Sequence, residues 1–154
     1  MDLRDLLPLD GVLPAVRAIS KKQVLQEMAA RAGRITGLSE REIFETLTQR
    51  ERLGSTGVGH GVAIPHGALP GLEHPTGVFA RLERPIEFQA IDDMPVDLIF
   101  ALFTPPGAGA DHLKALARIA RVMRDPDMLA KLRGGGDKTA LWALLTQPAT
   151  SDAA

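Results

Sequence analysis

The chain has 154 residues, with 18 basic and 19 acidic side chains and a formal net charge of −1. That length suits one domain of roughly 100–200 residues, and the charge balance lacks the polybasic excess that holds nucleic acid or an anionic membrane surface. Apolar residues make up 45% of the chain, but with five Phe, one Trp and no Tyr the core must be aliphatic and there is no stacking platform for bases. The absence of cysteine excludes disulfides, Cys-ligated zinc, iron–sulfur clusters and a thiol nucleophile.

The opening run MDLRDLLPLD mixes charge with leucine and has neither the basic nor the apolar region of a signal peptide. No apolar run approaches the roughly 20 residues that span a bilayer, so a soluble cytoplasmic protein is expected. LPAVRAI (13–19) reads as a short strand carrying Pro14. Ser20 with Gln23 predicts a capping-box helix start. Val24, Leu25, Met28, Ala29 and Ala32 then recur at helical spacing, and Gly33 and Gly37 bracket the end. Ser39 with Glu42 repeats the pattern, and Ile43, Phe44 and Leu47 give a second helix its apolar stripe, running to about Arg52 and stopping at Gly54.

The segment GSTGVGHGVAIPHGALPGLEHPTG (54–77) is dense in glycine and holds three prolines and three of the four histidines. Only Val62 to Ile64 reads as strand; the rest is expected to be loop or turn. GVFARLE (77–83) and VDLIFALF (96–103) are β-rich, and the second is apolar almost throughout, as suits a central strand covered on both faces. From Asp111 a helix is expected to bury Leu113, Leu116, Ala117, Ala120 and Met123. Asp125 and Pro126 start another helix as N-cap and first helical residue, closed by Gly134 to Gly136. Asp137 caps a last one with Leu141, Trp142, Leu144 and Leu145. The order predicts a single α/β domain, a mixed β-sheet flanked by helices on both faces, with a flexible C-terminal tail at 148–154.

The glycine-rich stretch is not a P-loop, because no Lys follows its glycines. It is not a dinucleotide fingerprint either, since Gly57 and Gly59 are followed by Val62 where the third Gly belongs. Two readings remain: a turn that lets backbone pack closely, or a loop whose N–H groups face an anion. His60, His66, His74 and His112, with Glu73 beside His74, match no metal-ligand spacing, and no metal is expected. A His between Pro65 and Gly67 is ordinarily a turn residue. It is also a candidate nucleophile towards phosphorus, because imidazole is neutral and nucleophilic near pH 7 without a thiol. Such a carrier needs donors for three phosphoryl oxygens. Arg50 and Arg52, the Ser55 and Thr56 hydroxyls and glycine-exposed N–H groups lie near His66 in the chain.

The run RERLGSTGVGHGVAIPHG (50–67), followed by FQAIDDMPVDLIFALFTP (88–105) and HLKALARIA (112–120), resembles the fructose/mannitol-type IIA domains of the bacterial phosphotransferase system, most of all their nitrogen-regulatory branch. The resemblance covers residues 1–147. It implies that His66 accepts the phosphoryl group, that Arg50 and His112 complete the active site, and that Ser55 and Thr56 support the loop beside the phosphohistidine. His60, His74 and Glu73 receive no role.

On that resemblance the expected function is a phosphocarrier and regulator with no cofactor, rather than an independent turnover enzyme. It would take phosphate from an HPr-like protein of the nitrogen branch (NPr) and act on targets such as potassium transporters, sensor kinases or stringent-response enzymes. The alternative is a sugar-permease IIA component that passes phosphate to a IIB domain; the chain has no Cys to act as a IIB acceptor and no membrane span. A binding module that has lost phosphotransfer is disfavoured by the joint presence of Arg50, His66 and His112.

Overall fold

The computed structural model describes residues 2–148; most of the expected tail lies outside the described residues. Two 3-10 turns (Leu3–Asp5 and Leu9–Gly11) lead into strand β1 (Val12–Val16), followed by helices α1 (Lys21–Thr36) and α2 (Glu40–Arg52). Strands β2 (Gly57–Gly59), β3 (Val62–Ala63), β4 (His66–Ala68), β5 (Thr76–Ile86) and β6 (Val96–Thr104) come next, and then helices α3 (Gly109–Met123), α4 (Pro126–Arg133) and α5 (Lys138–Leu145).

The helix boundaries follow local chemistry. The Ser20 hydroxyl accepts from the Gln23 N–H at 3.2 Å. The Gln23 side chain reaches back to the Ile19 N–H at 2.9 Å, one residue earlier than in a capping box. Gly37 ends α1 in the left-handed region at φ 76°, where a side chain is disfavoured. The Ser39, Asp125 and Asp137 side chains cap α2, α4 and α5, each satisfying one of the N–H groups a helix start leaves unpaired.

The strands form one mixed sheet in the order β1-β5-β6-β3-β2, with β4 also paired to β6. β1 lies at an edge, where Pro14 deprives no neighbour of a ladder bond. β6 is the central strand, and its side chains alternate between two cores. Ile99, Ala101 and Phe103 face α1 and α2, whereas Leu98, Phe100 and Leu102 face α3, α4, α5 and the N-terminal turns. Helices therefore cover both faces, as expected for the mixed sheet.

Two expectations are corrected. The strand expected only over Val62–Ile64 continues: β3 pairs in parallel with β6 as Val62↔Leu98 and Ala63↔Ile99, and β4 resumes the same register as His66↔Leu102, Gly67↔Phe103 and Ala68↔Thr104. Pro65 interrupts the pairing without breaking the line, because its carbonyl still accepts from the Leu102 N–H at 2.9 Å. β2 also forms, antiparallel to β3. Pro and Gly suggested loop here, but an adjacent strand with free bonding groups outweighs local propensity.

The second correction is the phase of α3. Its buried residues are Ala115, Ile119, Val122 and Met123. Leu116 and Ala120 lie at the margin, Ala117 is exposed, and Leu113 is 66% exposed. The helix carries apolar residues around much of its circumference, so spacing alone does not select the face that meets the sheet.

Candidate active site

Three elements converge at the end of β6 where Thr104 lies. β4 runs beside that end of β6 and carries His66. The last turn of α2 brings Arg50 from one helical layer, and the first turn of α3 brings His112 from the other. Gly67 permits the approach of α2: a Cβ at Gly67 would lie 2.5 Å from the Thr46 methyl carbon. Thr46 is one turn before Arg50 on the same helix face.

His66 is fixed through both ring nitrogens. Nδ1 lies 2.9 Å from the Ile64 carbonyl oxygen, which only accepts, so Nδ1 carries the hydrogen and Nε2 the lone pair. The Arg50 Nε–H donates to that Nε2 at 3.3 Å, and Arg50 Nη1 donates to the Gly54 carbonyl at 2.9 Å. The His112 ring centroid is 5.6 Å from that of His66. Partial burial, and secondarily the charge of His66, hold His112 below the ordinary histidine value, so its ring is neutral at pH 7. Its Nδ1 lies 2.9 Å from Thr104 Oγ1.

These groups line an open cleft of about 640 Å³ that includes Arg50, Leu53, His66, Thr104, Gly109 and His112. The N-cap position of α3 is Ala108, which offers no capping side chain. The first-turn N–H groups at this end of the cleft therefore remain without intrahelical partners, beside the positive end of the helix dipole. An arginine fork, a neutral imidazole and free amides suit a dianionic tetrahedral group.

Ser55 and Thr56, expected to supply hydroxyls near His66 and to support its loop, lie in the turn that follows α2. Neither lines the cleft. The Ser55 hydroxyl donates to the Phe88 carbonyl at 2.6 Å and accepts from the Gly57 N–H at 3.0 Å. Thr56 is buried and donates to the Glu51 carboxylate through its hydroxyl and its N–H. Both hold the turn that follows α2, whose Gly54 carbonyl anchors Arg50. Glu51 also pairs with Lys21 at 2.9 Å, with side-chain exposures of 5% and 18% respectively. Neither Glu51 nor Thr104 carries a local signal in the sequence: a Glu in the last turn of an amphipathic helix looks solvated, and a Thr ending a β-rich run looks like strand.

His60 is an exposed residue at φ 57°, and its N–H donates to Asp92 Oδ2 at 3.0 Å. Backbone N–H groups of His60 and Met94 hold the Asp92 carboxyl below its ordinary value. His74 and Glu73 are also exposed. Among the described residues no cluster of His, Asp or Glu is arranged to hold a metal ion, and no helix is long and apolar enough to cross a membrane.

Fold and cleft define a single-domain α/β protein in which two histidines and an arginine are gathered at one open cleft. The family model described as phosphoenolpyruvate-dependent sugar phosphotransferase system, EIIA 2, matches residues 5–147, and the chain belongs to that family. It is 57% identical to a nitrogen regulatory protein of Bradyrhizobium diazoefficiens, over 96% of this chain and 97% of that one. The crystal structure of the nitrogen regulatory protein IIA-Ntr from Neisseria meningitidis superimposes with a TM-score of 0.88 at 37% identity, covering 94% of this chain and 99% of that one. Mannitol enzyme IIA of Escherichia coli, solved in complex with phosphorylated mannitol enzyme IIB, shares the fold at a TM-score of 0.75 and 17% identity, with 91% and 98% covered.

Proposed function

We propose that residues 1–147 form a cytoplasmic phosphocarrier domain of the nitrogen-related phosphotransferase system. His66 accepts a phosphoryl group from an HPr-like protein (NPr), and the phosphorylation state governs binding to regulated partners such as potassium transporters, sensor kinases or stringent-response enzymes. The observation that carries this reading is the bonding of His66. With Nδ1–H committed to the Ile64 carbonyl, the lone pair on Nε2 is the nucleophile, and Arg50 sits on it.

In the transfer step the Nε2 lone pair forms the new N–P bond while the N–P bond to the donor histidine breaks, and the donor nitrogen recovers its electron pair. Arg50 leaves the lone pair and turns its fork to the equatorial oxygens. Positive charge developing on the His66 ring is stabilised by the Nδ1–H bond to the Ile64 carbonyl. Leu53, on the rim of the cleft, and Leu113, next to His112, are 86% and 66% exposed; they offer apolar contact to a protein donor. The added group carries roughly −1.5 to −2 charges, by analogy with phosphorylated hydroxyl residues, enough to alter docking without refolding.

Incubation with phosphoenolpyruvate, enzyme I and the HPr-like carrier adds one acid-labile phosphoryl group to the wild-type chain and none to His66→Ala; labelling of His66→Ala overturns the assignment. The second reading is a sugar-branch component, supported by the likeness to mannitol enzyme IIA, solved with its phosphorylated IIB partner. Rapid onward transfer from the phosphorylated chain to a sugar-branch IIB protein would favour it.

A further inference from the structure

We infer that Thr104 is a positioning residue: its buried hydroxyl donates to Nδ1 of His112 and holds that ring in the tautomer whose Nε2–H faces the phosphoryl site. The consequence for transfer rests on the reading of His66 as phosphoryl acceptor; the tautomer does not.

Thr104 closes β6 in phase with Leu98, Phe100 and Leu102, so its side chain points to the layer that contains α3. Its backbone is fixed by pairing with Ala68 and by the Leu69 N–H, which donates to its carbonyl at 2.9 Å. The residue is 2% exposed. Its hydroxyl has one hydrogen-bond partner among the described residues, His112 Nδ1 at 2.9 Å.

A threonine hydroxyl can donate or accept, and so can each nitrogen of a neutral imidazole. The two arrangements are not equivalent here. If the hydroxyl donates, its hydrogen is used, Nδ1 is satisfied as an acceptor, and Nε2 carries an N–H. If Nδ1–H donates instead, the hydroxyl hydrogen is left inside the protein with no acceptor, a loss water does not repair at a buried position. That arrangement would also turn the Nε2 lone pair towards phosphoryl oxygens, where lone pair meets lone pair. A doubly protonated ring forces the same orphaned hydroxyl, which agrees with the depressed proton affinity of His112. Thr104 thus links β6, paired with the His66 strand, to the helix that carries the second histidine, and keeps that histidine a neutral donor.

The test is nitrogen-15 NMR of the imidazoles of the wild-type chain at neutral pH, followed by Thr104→Val and Thr104→Ser. The wild type and Thr104→Ser show a pyridine-like Nδ1 and a pyrrole-like Nε2 at His112; Thr104→Val, which keeps the shape and lacks the hydroxyl, shows a mixture. Single-turnover transfer from the phosphorylated carrier slows by about 10–100-fold in Thr104→Val, by analogy with loss of outer-shell partners elsewhere, and recovers in Thr104→Ser. Thr104→Val adds no further loss in a His112→Ala background. A wild-type His112 with the hydrogen on Nδ1 overturns the inference whether or not any variant folds. So does a folded Thr104→Val with unchanged tautomer and rate. Absence of phosphorylation in the wild type would instead overturn the reading of His66, and the NMR result would still decide the tautomer.

Discussion

Arg50 and His66, sixteen residues apart in the chain, meet nitrogen to nitrogen: the Arg50 Nε–H points at the Nε2 lone pair of His66 from 3.3 Å. The same guanidinium is held from behind by the Gly54 carbonyl at 2.9 Å. Arg50 is therefore held directly over the His66 nitrogen that carries the lone pair.

Loss of that guanidinium removes a donor aimed at developing charge, which elsewhere costs roughly 100- to 1000-fold in rate. Arg50→Ala is expected to slow phosphoryl transfer by that order while its urea midpoint shifts by no more than about 1 kcal/mol equivalent, the worth of one partly exposed hydrogen bond. Arg50→Lys keeps the charge and loses the fork, so it recovers only part of the rate. Rapid-quench transfer from the phosphorylated carrier measures both, and an unchanged rate removes Arg50 from the mechanism.

Gly67 sets the spacing between α2 and β4. Gly67→Ala drives a methyl against Thr46, a β-branched side chain in a helix with little freedom at χ1. Overpacking of this kind costs about 1–3 kcal/mol, and the displaced helix carries Arg50 away from His66. Denaturant unfolding and transfer kinetics should both register the change. Thr46→Ser removes the obstructing methyl and should restore much of both in the double variant. Gly109→Ala, where an added Cβ meets open space, should leave stability within about 0.5 kcal/mol.

Glu51 holds Lys21 and Thr56 together beneath the turn that anchors Arg50. Removing Glu51 leaves the partly exposed Lys21 with its longer contacts to Phe88 and Gln89 and strips the buried Thr56 of its acceptor, at about 1–3 kcal/mol. Glu51→Ala is expected to lose stability in that range by chemical denaturation and to transfer phosphate more slowly as the Gly54 carbonyl shifts. Ser55→Ala, which gives up a neutral hydroxyl, should cost only about 1 kcal/mol. Equal effects in the two variants would contradict the role given to Glu51.

His112 supplies a pH dependence with a definite sign. Its folded-state value is depressed, so between the unfolded value and the lower folded one the unfolded chain binds more protons. Stability is complete above the unfolded value and falls as pH drops through this window. The urea midpoint should decline on acidification from neutral pH, and less so in His112→Gln. By NMR, His112 should titrate below the ordinary histidine range in the wild type and higher in His66→Ala, which removes the secondary coulombic repulsion from that ring. It should titrate higher still when His66 is phosphorylated, because repulsion becomes attraction.

Much of the fold was legible in the chain because helix ends are decided within a few residues. Ser20, Ser39, Asp125 and Asp137 all cap where their spacing indicated, and Gly37 takes the left-handed conformation that closes α1. The short strands β2 and β4 were not legible, since their glycines carry no strand signal and their pairing partners lie elsewhere in the sequence. The buried face of α3 is hidden for a related reason: only packing against β6, α4 and the N-terminal turn distinguishes Ala115 and Ile119 from Leu113.

The sequence by itself determined the family, the order of helices and strands, and the residue types for phosphate chemistry, because motifs, caps and periodicity are local properties of the chain. Only the tertiary structure decided which groups meet. Strand register carries His66 to the end of β6, close packing at Gly67 brings in Arg50 from one layer, and Thr104 orients His112 from the other. Ser55 and Thr56, equally near His66 in the chain, are turned away from the cleft to hold Phe88 and Glu51. Proximity in sequence constrains a side chain for about one turn of backbone, and beyond that its direction is set by which elements pack against each other.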